Sequence, residues 1–585
     1  TITTGIAGVT VNSTIDGNPS PADLVINAAS AVNFNGAIGS NSPIGFLGVS
    51  TSSALNIGSV HANSGIVLQA STIFQGPGTV TANNAIAYNG PVVITGSVDV
   101  VSVLNSIVFG STIAGAGDLT LSAPGVVSIA GEVGFPGLLN SLTSFAGQTI
   151  LRAGVGTSGS QFYSGGLSLA AGSLYLAGTS FGAIAPFGTS TIDLGGAGQT
   201  TIQCDNIDLD GDTFATADNT LVLQSAGSVV IRNNSGFMGS LTSDAPGDFA
   251  LVNSSPTFTG SQVLIEDASV VLSGGFLYTT SADITVPGVV TFDDVNGVYP
   301  SVGFGSNFGR LSLNSAVAVG SSKLTIIVAD LILSGTISGV SAMPGQAGSS
   351  VQITSSPASG VGISLGTDFG PGSLHLSQSE LDNLQTGHVM IGADFLDRAI
   401  TVANAITLSR PTTLAAQATG GSIAINAPVT VAAGGSLTIL GSGSTTHLNA
   451  DIITDGVDVT INDALRVDGF SGARVIDTTN FGSSSNIGNI TITGLVDAEH
   501  FSSVDLALTA GLGNVTLSGL VGSDAVTRLL NLSATGAVVS SVGIAVDSTI
   551  FLAGSTENRI GGSFQAGAAV TLGGTRTVLT GDLTV

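Results

Sequence analysis

The chain of 585 residues has no tryptophan, one cysteine and one lysine. Each shortage removes a class of protein. With Cys204 alone there is no intrachain disulfide, so packing and hydrogen bonding must hold the fold. Charged residues make up 8% of the chain, against ~25% in an ordinary soluble protein. Of these, 37 are acidic and 11 basic, for a net charge of −26, with Lys323 the single lysine. A surface this negative repels phosphate backbones, which excludes nucleic acid as a partner and disfavours anionic membrane surfaces. Long apolar runs are missing too. The most apolar stretch, Leu324 to Leu333, follows Lys323 and contains Asp330. It falls short of the ~18–20 uninterrupted apolar residues of a spanning helix. No transmembrane segment is expected.

Helix signals are equally scarce. The clearest is the capping box Ser377-Gln378-Ser379-Glu380, followed by Leu381-Asp382-Asn383-Leu384 and stopped near Gly387. A second turn of helix is expected over residues 524–530.

What the chain has is glycine, 83 residues of it, and short apolar segments that bring hydrophobic residues to 43%. One phrase recurs: glycine, a small polar residue, an aliphatic, threonine, an aliphatic. It reads Gly117-Asp118-Leu119-Thr120-Leu121, Gly435-Ser436-Leu437-Thr438-Ile439, Gly488-Asn489-Ile490-Thr491-Ile492, Gly513-Asn514-Val515-Thr516-Leu517 and Gly581-Asp582-Leu583-Thr584-Val585. Each copy is a turn followed by a strand with aliphatics on one face and Thr, Ser or Asx on the other. Such a unit cannot close a core alone and must stack on copies of itself.

An antiparallel sandwich would break into domains of about 100 residues joined by hairpins. The uniform composition and dispersed repeat favour the competing topology, a parallel β-solenoid with roughly 20–25 residues per coil. The fold expected is therefore all-β, a single continuous β-solenoid over residues 1–585. Loop insertions are expected near 153–166, 300–309 and 343–372, where Gly, Ser and Pro crowd together. Stacking also accounts for the scarcity of charge, since like charges repeated in register would repel.

The rung grammar resembles that of large exported bacterial proteins of the filamentous haemagglutinin type. Its most particular stretch is Gly372-Ser373-Leu374-His375-Leu376-Ser377-Gln378-Ser379-Glu380-Leu381-Asp382-Asn383-Leu384, running on to Val389-Met390-Ile391-Gly392. This is similar to their strand, short helix, strand, Ile-Gly unit. The resemblance implies a right-handed β-helix, export to the cell surface, and a role in adhesion or surface structure. Two features depart from it. Gly17-Asn18-Pro19-Ser20-Pro21 does not match the family's Asn-Pro-Asn secretion motif, and no C-terminal membrane barrel follows.

Candidate chemistry is sparse. In Asp205-Asn206-Ile207-Asp208-Leu209-Asp210-Gly211-Asp212, a strand would put Asp208, Asp210 and Asp212 on one face, where three carboxylates could hold calcium. The competing reading is a solvated turn. Of His61, His375, His388, His447 and His500, only His500 has acids near it, in Asp497-Ala498-Glu499-His500, a weak zinc pattern. Cys204 has no nearby histidine and reads as a small core residue. Polysaccharide-cutting β-helices need basic residues beside their carboxylates, and one lysine with ten scattered arginines argues against that activity. Sequons occur at Asn12, Asn233, Asn253, Asn489, Asn514 and Asn531; those at Asn489 and Asn514 fall inside the phrase, where Asn and Thr alternate outward, and chance accounts for the set.

The chain opens on strand-like Thr1–Val11 and stops on a copy of the phrase, with no amphipathic cap at either end. That pattern leads us to expect either a longer polypeptide or head-to-tail stacking of subunits. The expectation is a non-catalytic extracellular structural subunit of a bacterial surface filament, sheath or matrix, partnered with itself. The alternative is an adhesin that binds cells or matrix through inserted loops. A polysaccharide-active enzyme is the third reading.

Overall fold

A computed structural model describes the chain except for residues 19, 185–190, 215–217, 234–235, 245, 253, 255–256, 259–261, 293–300, 341–347, 368–372, 396, 469–471, 481–486, 501–503, 524–526, 555–556 and 585. Strand accounts for 61% and helix for 2%, and the strands run parallel in a β-solenoid of about 24 turns. The chain forms two compact units, Thr1–Gly288 and Val289–Val585.

In the first unit the phrase at Gly117 opens the strand Asp118–Ile129. Leu119 and Leu121 are fully buried and Thr120 is half-exposed, as period-2 alternation requires. Leu119 lies between Val98 of the preceding coil and Leu142 of the next, while Asp99, Thr120 and Thr143 form the neighbouring outward column. Each such aliphatic removed from water contributes roughly 1.5–3 kcal/mol. Glycine is needed where coils close together. Gly115 has φ of 120°, and a Cβ there would sit 1.9 Å from the Ile94 carbonyl oxygen.

Large side chains stack inside this unit as well. Tyr88 and Phe109 are register partners with ring centroids 4.6 Å apart and planes within 10°. The buried Tyr88 hydroxyl donates to Gln75 Oε1 at 3.2 Å, and Gln75 Nε2 donates to the carbonyls of Gly58 and Gly76. Tyr163 and Gln161 repeat the device at 3.1 Å, with Gln161 Nε2 donating to the Leu176 carbonyl at 2.7 Å. These two buried tyrosines and glutamines are thus paired, as a low-dielectric interior demands.

The second unit shows the phrase stacked on itself. Leu437, Val459, Ile490, Val515 and Val538 form one inward column, and Thr438, Thr460, Thr491 and Thr516 lie beside it facing out. The copies at 435 and 488 are therefore separated by one coil whose strand, Val459–Val467, is not introduced by the phrase's glycine. Amide side chains mark the outer coil-to-coil steps. Asn449 donates to Asn426 Oδ1 at 2.7 Å, and in the first unit Asn56 donates to Asn33 Oδ1 at 2.5 Å.

The capping box forms as expected. Ser377 caps the helix Gln378–Asp382, with its side chain accepting from Glu380 N and the Glu380 carboxylate accepting from Ser377 N. Of the other expected helical turn, 524–526 lie outside the described residues and Thr527–Leu530 are not helical. The stretches read as loop insertions carry strands: Val155–Gly156 and Gln161–Ser168 over the first, Ser301–Ser306 in the second, Ser350–Ser355 and Gly362–Leu365 in the third. Residues 343–347 and 368–372 of the third lie outside the described residues. Serine and glycine, which mark loops elsewhere, lie here within strands, some facing out, as Ser164 and Ser364 do, and some buried, as Ser306 and Ser355 are.

One buried charge breaks the pairing rule. Asp267, 1% exposed at a corner of the first unit, has neither carboxyl oxygen hydrogen-bonded among the described residues. Burial pushes its pKa up to about 6; the Ser243 hydroxyl, out of hydrogen-bonding geometry, pulls weakly the other way. A raised folded-state pKa contributes stability that is complete below the unfolded value near 3.8 and is lost as pH rises through about 6. Asp267→Asn should therefore match the wild type near pH 4 and exceed it above pH 6, by on the order of 3 kcal/mol. Thermal melts of both proteins across that range check this; parallel pH profiles would contradict it.

Candidate functional site

The second unit contains an interruption in its ladder. The strand Asp330–Leu333 pairs with Arg310–Leu313 on one side, and among the described residues no strand pairs with its other edge. The strand Ser373–Leu376 pairs in parallel with Gly362–Leu365 and likewise has one unpaired edge. Only 11 residues separate the register partners Gly362 and Ser373, against 21 to 31 between the register partners described above. Between the two strands is a cleft of about 700 Å³.

Side chains from the short helix replace the missing strand. Glu380 Oε1 accepts from the Leu333 amide at 3.1 Å, and Glu380 Oε2 accepts from the Ser377 amide at 2.9 Å. Asn383 Nδ2 donates to the Leu333 carbonyl at 3.1 Å, and the Leu331 amide donates to its neighbour Asp330 Oδ1 at 3.0 Å. Unpaired strand edges are otherwise open to further pairing. Here the exposed groups are satisfied by carboxylate and amide, so the edge is blunted and the cleft stays open.

His375 forms the floor. It is 8% exposed, with Nδ1 3.0 Å from Thr367 Oγ1 and Nε2 3.1 Å from Ser373 Oγ, and Thr367 Oγ1 is 3.0 Å from Ser364 Oγ. Hydroxyls thus hold the imidazole from both sides. At the rim, Arg310 Nε donates to Asp330 Oδ2 at 2.7 Å, both side chains about half-exposed. Ile332, 39% exposed, adds an aliphatic wall.

A second polar group lies farther along the same unit. His447, Arg466 and Asp497 are register partners in one outward column. His447 Nδ1 is 3.0 Å from Glu499 Oε2, and Arg466 is 3.9 Å from Asp497 Oδ2. Asp497 is 1% exposed; Ser523 Oγ donates to its Oδ2 at 2.7 Å, while Oδ1 has no partner among the described residues. The acids of Asp497-Ala498-Glu499-His500 are therefore turned toward His447 and Arg466 on the two preceding coils.

Asp208 and Asp210 share the outward face of Asn206–Asp210, as the alternation predicts. Gly211, at φ 129°, turns the chain, so Asp212 heads the next strand, Asp212–Phe214. Asp208 pairs with Arg232 at 3.1 Å and Asp210 accepts from Asn233 Nδ2 at 2.9 Å. Among the described residues no group of three His, Cys, Asp or Glu is placed to hold a metal. Cys204 is buried, its thiol donates to the Asn206 carbonyl at 2.9 Å, and burial pushes its pKa up to about 11, which leaves it protonated and unreactive at neutral pH. His61 is exposed on Val60–Ala62, and half-buried His388 bonds Thr413 Oγ1 at 2.9 Å, with burial lowering its pKa. No helix among the described residues is long and apolar enough to cross a membrane.

Sequence reasoning identified the capping box but missed the cleft, because the strands that bound it are 43 residues apart from Asp330 to Ser373. No family model matches the chain, and no curated protein or solved structure matches it either.

Glu380 holds two backbone amides that lack a strand partner. Glu380→Ala should release both, lowering stability by about 1–3 kcal/mol and accelerating hydrogen exchange at Leu333 and Ser377. Exchange spread evenly over the unit, or unchanged at those two amides, would contradict this role.

Proposed function

We propose that the chain is a non-catalytic structural β-solenoid of a bacterial surface filament, sheath or matrix, acting outside the cell and partnered with copies of itself. The observation that supports this reading is the in-register column of neutral hydroxyl and amide side chains along the outside of the coils, such as Thr438, Thr460, Thr491 and Thr516. Columns of this kind serve stacking itself. They add lateral hydrogen bonds at every step without building up like charge. Identical copies present identical columns, so the chemistry that joins coils within a chain suits contacts between chains. A composition with 8% charged residues fits a protein selected for packing against itself.

The cleft favours a second reading, adhesion, in which the solenoid is the support and the interrupted coil carries a binding site. Resemblance to the filamentous haemagglutinin type is consistent with either role.

Electron microscopy of the purified chain at physiological salt tests the first reading. Ordered filaments or sheets are expected, together with loss of the protein from intact cells treated with external protease. Single particles at every concentration, or protection from that protease, would overturn it.

A further inference from the structure

The cleft between Asp330–Leu333 and Ser373–Leu376 converges polar groups on one space, and its chemistry restricts what can occupy it. Its charged side chains are Arg310, Asp330 and Glu380. Arg310 and Asp330 neutralise one another at 2.7 Å, and both Glu380 oxygens are taken by backbone amides. A phosphate or other strong anion would meet two carboxylates and a single, already paired guanidinium. A divalent cation would need a cluster of acidic or imidazole ligands, and none of three or more occurs among the described residues. An extended peptide adding to Asp330–Leu333 would need its free edge, but Leu331 N, Leu333 N and the Leu333 carbonyl are already bonded to Asp330, Glu380 and Asn383. What the walls offer is a mixture of hydroxyls and an imidazole, with the Ile332 side chain as an apolar surface.

We infer that this cleft binds a neutral saccharide unit. A pyranose matches it in three respects. Its hydroxyls both donate and accept, as do the Ser373 and Ser379 hydroxyls, each of which has one side-chain partner at the lining of the cleft. The paired Arg310 and Asp330 present a donor and an acceptor side by side at the rim, the arrangement that meets two vicinal hydroxyls. One face of the ring carries C–H groups that pack on Ile332. The volume of about 700 Å³ lies within the range of small-ligand sites, ~300–1,000 Å³, and leaves room for more than one ring. The net charge of −26 selects neutral over acidic sugars, because acidic chains would be repelled on approach. The interruption of the ladder then has a purpose. A solenoid that paired these strands would have no cavity here, and Glu380 and Asn383 satisfy the backbone that the opening exposes.

This inference deepens the adhesive reading and is independent of self-assembly, so single particles in the microscope would leave it standing. The test is saturation-transfer NMR on the full chain with a panel of neutral mono- and disaccharides, followed by titration of the His375 imidazole resonances. At least one sugar should bind with a millimolar or tighter dissociation constant and shift His375 among the five histidines. Ser379→Trp, at an exposed position on the cleft mouth, should weaken binding about ten-fold or more, a loss of about 1.4 kcal/mol. Thr120→Trp, on an outward column of the first unit, should leave binding unchanged. Ser334→Trp serves if the first variant does not fold. No transfer to any sugar in the panel would overturn the assignment, as would binding that leaves His375 unshifted or survives the cleft-filling variants.

Discussion

Parallel pairing of each coil with the next is the interaction on which everything else in this protein depends. A coil has no core of its own; Leu437 is buried because Thr412 and Val459 lie on either side of it. Backbone hydrogen bonds fix the spacing at ~4.8 Å, so a side chain meets a like position above and below at close range. Aliphatics gain from that repetition and charges do not. The same spacing excludes a Cβ at Gly115 and at Gly392, where it would lie 2.0 Å from the Ala415 carbonyl oxygen. Composition, glycine placement and charge depletion therefore share one cause.

The places of chemical interest are those where this constraint is relaxed or strained. At Asp330–Leu333 the pairing is suspended, and the freed amides are met by Asp330 and Glu380. Nearby, the register partners Gly362 and Ser373 are only 11 residues apart, too few for a full coil. At Arg466 and Asp497 the pairing holds, and charge is admitted where opposite signs face one another on neighbouring coils. Asp267 is admitted by remaining protonated until about pH 6.

Much of the fold was legible in the sequence, for definite reasons. Period-2 alternation after glycine fixed strand and face, as Leu119 and Thr120 show. The capping box was legible because Ser377 and Glu380 satisfy each other locally, with no help from distant residues. What could not be read is register between coils. Successive members of the column at Leu437 are 22, 31, 25 and 23 residues apart, so no fixed period predicts that Thr438 faces Thr460. The cleft, and the partners of Asp497 and Glu499, depend on such register. The Asp208 cluster was half legible: alternation placed Asp208 and Asp210 together, but Gly211 turns the chain before Asp212. Arg232, one coil length downstream of Asp208, was a signal that could have found its partner.

The most direct test of the account is a cross-linking comparison in the column that contains the recurring phrase. Thr438 and Thr460 are outward register partners, whereas Thr438 and Asn462 are offset by one outward position. A disulfide requires Cα atoms within about 7 Å, which the first pair satisfies and the diagonal pair, at roughly 8 Å from strand geometry, does not. In a chain carrying Cys204→Ser, Thr438→Cys with Thr460→Cys should oxidise rapidly and completely, while Thr438→Cys with Asn462→Cys should remain reduced. Equal cross-linking of the two pairs, or preference for the diagonal one, would contradict stacking in this register and with it the cleft, the columns and the function proposed from them.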